Sequence, residues 1–324
     1  MLSLFRRNLF FNLIVLLLFA VALHGYYLLT PSSSTSIWNS PTQASIFSFV
    51  DTSKYIKIIF SIILIVVQAY LVNDLVIKHK LSRALSTIPA AVFVLYACWV
   101  LESDIFQPVL IANLFCILSL WNLFKIYKRH LPIVNIFNSG MYMTIAAVFY
   151  PPYIAYVIVL LLGLFSLRNL NLREIAQVIC GVLLPYFLVC VYLFYTDQLT
   201  TQVLSFFNRV SFSGIFQNFN FLSLLKPIIT ILLIVFLILI HHGIKKKKKF
   251  DAIKKIELSY WMFFISLLSL FMIDPIKESH LMLLSLPISI TIGLVLEHKD
   301  NSLIKEFCFL LAIGAYAAFV LGII

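Results

Sequence analysis

The chain has 324 residues, of which 62% are hydrophobic and 11% charged, against roughly 45–50% and 25% in soluble domains. No water-soluble core of this length hides so much apolar surface, which excludes a soluble enzyme, a secreted disulfide scaffold and a disordered chain. The net charge of +11 lies largely between the apolar runs, where it reads as a membrane-topology signal and not as a nucleic-acid footprint.

A membrane-crossing helix takes roughly 20 apolar residues. Runs bounded by charge or by Pro/Ser clusters predict eleven spans, near 8–29, 55–75, 84–101, 108–124, 135–150, 153–168, 174–195, 222–243, 257–273, 280–296 and 306–323. The expected fold class is therefore all-α: a polytopic transmembrane helical bundle forming a single domain over 1–324. The first run follows Arg6 and Arg7, carries Tyr26 and Tyr27 near its far end and lacks a small-residue cleavage site, so it reads as a retained span. Spans five and six meet at Tyr150–Pro151–Pro152–Tyr153, where proline cannot continue a helix; they read as an antiparallel hairpin packed through Gly140 and Gly163.

Lysine and arginine near span ends are retained in the cytoplasm. Placing the N-terminus inside puts 19 of the 24 basic residues on that face, including Lys245–Lys249, Lys254 and Lys255 of a basic inner loop at 244–256. The C-terminus is then outside. Two outer loops exceed simple turns, 30–54 and 196–221. In the second, Leu199, Val203, Phe206 and Phe207 draw one apolar stripe, the pattern of a helix lying on the outer leaflet. The first is Ser/Thr-rich and then apolar, as expected of a segment that returns to the membrane surface.

No CxxC, HExxH or phosphate-cradling glycine loop is present, so the sequence implies no metal site and specifies no cofactor. Chemistry is expected at the outer boundary. Asp51 and Asp104 are the candidate catalytic carboxylates, each able to act as general base on an acceptor hydroxyl. Glu102, Arg209, Lys226, Lys277, Glu278 and His280 are the candidate substrate-binding residues, the cations among them suited to a phosphate leaving group. Each has a plainer reading: a charge at a span end is ordinarily solvated, and Lys226 sits where it can snorkel. Asn113 and the other amides within spans read as polar glue between helices. The five cysteines fall within spans and read as packing residues.

Residues 137–187 carry a resemblance: Phe137–Asn–Ser–Gly140, Phe149–Tyr150–Pro–Pro152, Arg168–Asn–Leu–Asn–Leu–Arg173–Glu174, and Gly181 with Pro185–Tyr186. In these the chain resembles an uncharacterised family of multi-pass inner-membrane proteins of Gram-negative, gliding-type bacteria. Members are sometimes labelled carotene oxygenases; the seven histidines here are scattered over both faces and do not gather around one iron. More distantly, Asp51, Asp104 and Lys277–Glu278–Ser–His280 through Pro287 look like the outer-loop acids and Lys–Glu pair of C-type glycosyltransferases, which use polyprenyl-phosphate sugars. Asp51 departs from that pattern by lying close before span two instead of close after span one. The resemblance implies a lipid-linked sugar transferase of cell-envelope biogenesis in the bacterial inner membrane. The alternative is a non-catalytic subunit or scaffold of an envelope or secretion machine. A transporter is disfavoured, because no span carries a central carboxylate or arginine. The expected partners are membrane lipids, a polyprenyl-phosphate-linked sugar and other envelope proteins, with no nucleic acid. The topology has a direct check: reporter fusions at Lys249 and at Ile324 are expected on opposite sides of the membrane.

Overall fold

The computed structural model describes residues 9–24, 54–82, 86–101, 106–168, 171–200, 250–270, 278–297, 306–307, 309–314 and 316. Among them the secondary structure is helical throughout: α1 (Leu9–His24), α2 (Lys54–Lys78), α3 (Ile88–Val100), α4 (Pro108–Lys125), α5 (Ile133–Phe149), α6 (Val157–Leu167), α7 (Leu172–Tyr195), α8 (Phe250–Leu270) and α9 (Ser285–Glu297). Two 3-10 segments, Pro151–Tyr156 and Glu278–Leu284, lead into α6 and α9. Four helices are long and apolar enough to cross a membrane: Tyr55–Lys78, Pro108–Lys125, Leu172–Tyr195 and Ser279–Glu297. These helices point to an integral membrane protein. The expected span at 222–243 and the interfacial stripe from Val203 to Phe207 lie outside the described residues.

The chain falls into two compact units, one built from the described parts of Met1–Leu110 and Ser285–Ile324, the other from those of Ile111–Leu232 and Lys249–Leu284. In the first, α3 packs with α1, α2 and α9. Eleven residues of α3, from Ile88 to Val100, are buried, as befits a helix that is apolar all round. At 13 residues it is about 20 Å long, short of the roughly 30 Å of a hydrocarbon core. The expected third span, 84–101, is shortened because Pro89 sits in the first turn of the helix, where a missing N–H costs nothing. Ser86 and Thr87 just before it are not helical. The hydroxyls of Ser82 and Ser86 donate instead to the two carboxylate oxygens of Glu297 at the end of α9. Gly293 lets α9 close on α3, since a Cβ there would lie 2.7 Å from Pro89 Cγ. Gln68 of α2 donates to the Leu110 carbonyl at 2.8 Å. The opposite face of α2 exposes Tyr55, Ile59, Ile63, Val67 and Tyr70, the dress of a lipid-facing helix.

In the second unit α5 and α7 make the closest helix crossing. A Cβ on Gly140 would lie 2.6 Å from the Val178 carbonyl oxygen, and one on Gly181 would overlap the Phe137 carbonyl. Small residues matched across a crossing let two backbones approach and gain dispersion contact that lipid does not match. Gly140 therefore serves α7, while Gly163 of α6 meets the Leu123 side chain of α4. That corrects the expectation that these two glycines join α5 to α6. The helices do run antiparallel: Arg168, just past α6, donates from Nη1 to the Arg129 carbonyl, just before α5, at 2.6 Å. Helix α8 begins at Phe250, inside the segment expected as the basic inner loop, with Asp251 in its first turn, where a carboxylate complements the helix dipole. The two glycine environments differ enough to test. Gly181→Ala forces backbone apart and is expected to destabilise the folded chain in detergent by roughly 1–3 kcal/mol, whereas Gly163→Ala meets only movable Leu123 methyls and is expected to cost less, both read by thermal unfolding.

Candidate functional site

The polar core of the second unit grows from Tyr150–Pro–Pro–Tyr. Proline at 151 disfavours helical dihedrals in the residue before it, and Tyr150 is extended at φ −143°, ψ 100°. The next six residues, Pro151–Tyr156, form a 3-10 segment, in which positions three apart eclipse. Tyr150, Tyr153 and Tyr156 consequently share one edge, with ring centroids 6.2 Å and 5.4 Å apart along the series. All three are buried. His280, from the second 3-10 segment, lies with its ring 5.4 Å from that of Tyr150.

Each phenol then has a different fate. Tyr153 donates to Asn113 Oδ1 of α4 at 3.1 Å. Tyr156 donates to the Leu283 carbonyl at 2.7 Å and lies 2.5 Å from Ser266 Oγ of α8. Leu283 needs such a donor because Pro287 stands four residues on and has no N–H to return the helical bond. Ser266 also reaches the Met262 carbonyl at 2.6 Å, so two hydroxyl protons are shared among three short contacts. The Tyr150 hydroxyl is buried and has no hydrogen-bond partner among the described residues.

Of the eight residues singled out from the sequence, His280 is the one whose side chain is described; it is 4% exposed and belongs to the tyrosine cluster. Glu278 begins the same 3-10 segment. Asp51, Glu102, Asp104, Arg209, Lys226 and Lys277 lie outside the described residues. The sequence marks Tyr150 and Tyr153 as the tip of a hairpin and not as site residues; the three-residue spacing around the Pro–Pro pair is the signal that extends them to Tyr156, and Ser266 carries none. Among the described residues no group of three or more His, Cys, Asp or Glu side chains is placed to hold a metal ion.

The other end of this unit is cationic. Lys128, in the left-handed region at φ 58°, reaches Asp251 at 3.5 Å. Lys255 lies over the rings of Phe124 and Tyr127, 5.8 Å from each centroid; its burial holds its pKa below the usual lysine value. The Tyr127 hydroxyl bonded to Asp251, with Lys128 nearby, holds that carboxyl below its ordinary range.

The sequence profile of a family of unknown function, DUF6427, matches residues 42–323. The chain belongs to that family. No curated protein and no solved structure matches this DUF6427 chain. Two measurements check the DUF6427 site as drawn. Tyr156→Phe leaves the Leu283 carbonyl without its donor and is expected to cost about 1–3 kcal/mol, seen as a lower unfolding midpoint in detergent. Asp251, with its folded pKa depressed, contributes stability that is present above the unfolded aspartate range, near 3.9, and is lost as pH falls through the folded value. Asp251→Asn is expected to remove that acid-side loss from the stability profile.

Proposed function

We propose that this chain is a multi-pass inner-membrane protein of cell-envelope biogenesis that transfers a sugar from a polyprenyl-phosphate carrier at the outer face, with its N-terminus inside and its C-terminus outside. In that reaction Asp51 or Asp104 takes the proton of an acceptor hydroxyl, whose oxygen attacks the sugar's anomeric carbon from the face opposite the phosphate. The carbon–oxygen bond to phosphate breaks with inversion, and Arg209, Lys226 or Lys277, aided by Glu102, Glu278 and His280 as lining, holds the departing lipid phosphate. The observation that supports this reading is His280 buried against Tyr150, whose hydroxyl has no hydrogen-bond partner among the described residues. A phenol and an imidazole in apolar surroundings are groups that donate to a phosphate or relay a proton, and the lipid tail requires such groups at the bilayer edge.

A second reading is a non-catalytic subunit or scaffold of an envelope or secretion machine that binds other envelope proteins. It is favoured by the way Tyr153 and Tyr156 are engaged by Asn113, Ser266 and Leu283 within the protein itself. The two readings part on one experiment. Cells whose single copy carries Asp51→Asn and Asp104→Asn together are expected to make normal amounts of the protein and to lose transfer of the envelope glycan. Unchanged glycan in those cells leaves the scaffold.

A further inference from the structure

The cationic end of the second unit holds a feature that neither reading uses. The Arg168 guanidinium ties two loops together: Nη1 donates to the Arg129 carbonyl at 2.6 Å and Nε pairs with Glu174 Oε1 at 3.1 Å. At each point of attachment stands another arginine, Arg129 itself and Arg173 beside Glu174, and both are exposed. Neither guanidinium makes an ion pair among the described residues. Arg173 lies in the first turn of α7, where the helix dipole repels a cation, so its position gains nothing from the helix it starts.

Apolar side chains flank this pair. Leu131 is 82% exposed and Leu172 86% exposed, with Ile133 and Val134 exposed beside them at the start of α5. Leucines so bare are costly in water and at ease among acyl chains. Cations and exposed leucines at the starts of α5 and α7 match a molecule with a phosphate next to hydrocarbon. Juxtamembrane cations near an anionic leaflet each contribute about 1 kcal/mol, and arginine's planar fork suits phosphate oxygens.

We propose that Arg129 and Arg173, bridged by Arg168 and Glu174, form a headgroup site for an anionic phospholipid, whose acyl chains lie against Leu131, Leu172 and Ile133. The site is independent of any transferase activity. Arg168 and Glu174 position it by fixing the spacing of the loops; Arg129 and Arg173 touch the phosphate.

The test uses the full-length chain in neutral detergent, titrated with phosphatidylglycerol, with phosphatidylcholine or with inorganic phosphate, and read by thermal unfolding and by lipid retained in native mass spectrometry. Phosphatidylglycerol is expected to raise the midpoint saturably and the other two to do so only weakly. Arg129→Gln with Arg173→Gln is expected to leave the lipid-free midpoint unchanged, since both side chains are exposed, and to weaken phosphatidylglycerol binding by about tenfold or more. Lys78→Gln, which removes a cation from the first unit, is expected to leave binding intact. Equal stabilisation by phosphatidylcholine, an undiminished response in the double variant, or an equal loss in Lys78→Gln overturns the site. Full stabilisation by inorganic phosphate alone overturns the phospholipid and leaves a soluble anion as its ligand.

Discussion

A backbone carbonyl inside a bilayer has no water to turn to, and that constraint organises the second unit of this protein. Pro287 of α9, just beyond that unit, withholds an N–H that the carbonyl four residues earlier would otherwise accept. At Pro287 the orphan is Leu283, and the Tyr156 hydroxyl bonds it. Tyr156 reaches that carbonyl because a proline pair, Pro151–Pro152, has already broken the chain into a 3-10 segment that aligns tyrosines three apart. One proline thus creates the need and a pair positions the group that meets it. Ser266, Ser269, Ser289 and Thr291 bond carbonyls three or four residues back in their own helices, keeping hydroxyls satisfied where lipid gives them nothing.

Packing in the same unit follows a second consequence of lipid as solvent. Burying a leucine against another helix gains little over leaving it among acyl chains, so attraction between helices rests on close contact. The α5–α7 crossing takes this to its limit with Gly140 and Gly181 set against opposing backbone. Away from that stripe α7 is outward-facing: Ile179, Leu183, Phe187 and Val191 are all exposed. Only 22% of its membrane window is buried, against 94% for Ser279–Glu297. Both sequences are similarly apolar. What separates them is how much of each helix is packed: α7 is matched along the Gly181 stripe, whereas α9 is enclosed on nearly every side.

That difference marks what was legible in the sequence. Apolar runs placed α1, α2, α4, α5, α6, α7 and α9 to within a few residues, because length and charge boundaries are strong signals in a chain this hydrophobic. The same signal cannot separate a lipid-facing helix from a buried one, so α3, 13 residues long and enclosed, read as an ordinary span. Charge also sets the expected start of α8 too late: the lysines read as a loop, whereas Lys255 lies within the helix with its ammonium over the Phe124 and Tyr127 rings. At the site, charged residues at span ends stand out, since charge is conspicuous in an apolar sequence. Tyrosines are not conspicuous among 15 of their kind. Their role depends on a 3-10 register that composition does not reveal.

The Tyr150 hydroxyl is the point at which structural economy fails. Phenylalanine would keep the ring contacts to His280 and Tyr153, and would avoid burying an oxygen that none of the described residues bonds. Leaving such a group unsatisfied costs about 1–3 kcal/mol, comparable to what a complete hydrogen bond elsewhere in the cluster contributes. Tyr153 and Tyr156 repay their oxygens by joining α4, α8 and the Leu283 carbonyl to one 3-10 edge, so packing accounts for them. It does not account for Tyr150. The Tyr150 oxygen, one ring from the buried His280 imidazole, is a polar atom of this cluster that hydrogen bonding within the described residues does not satisfy.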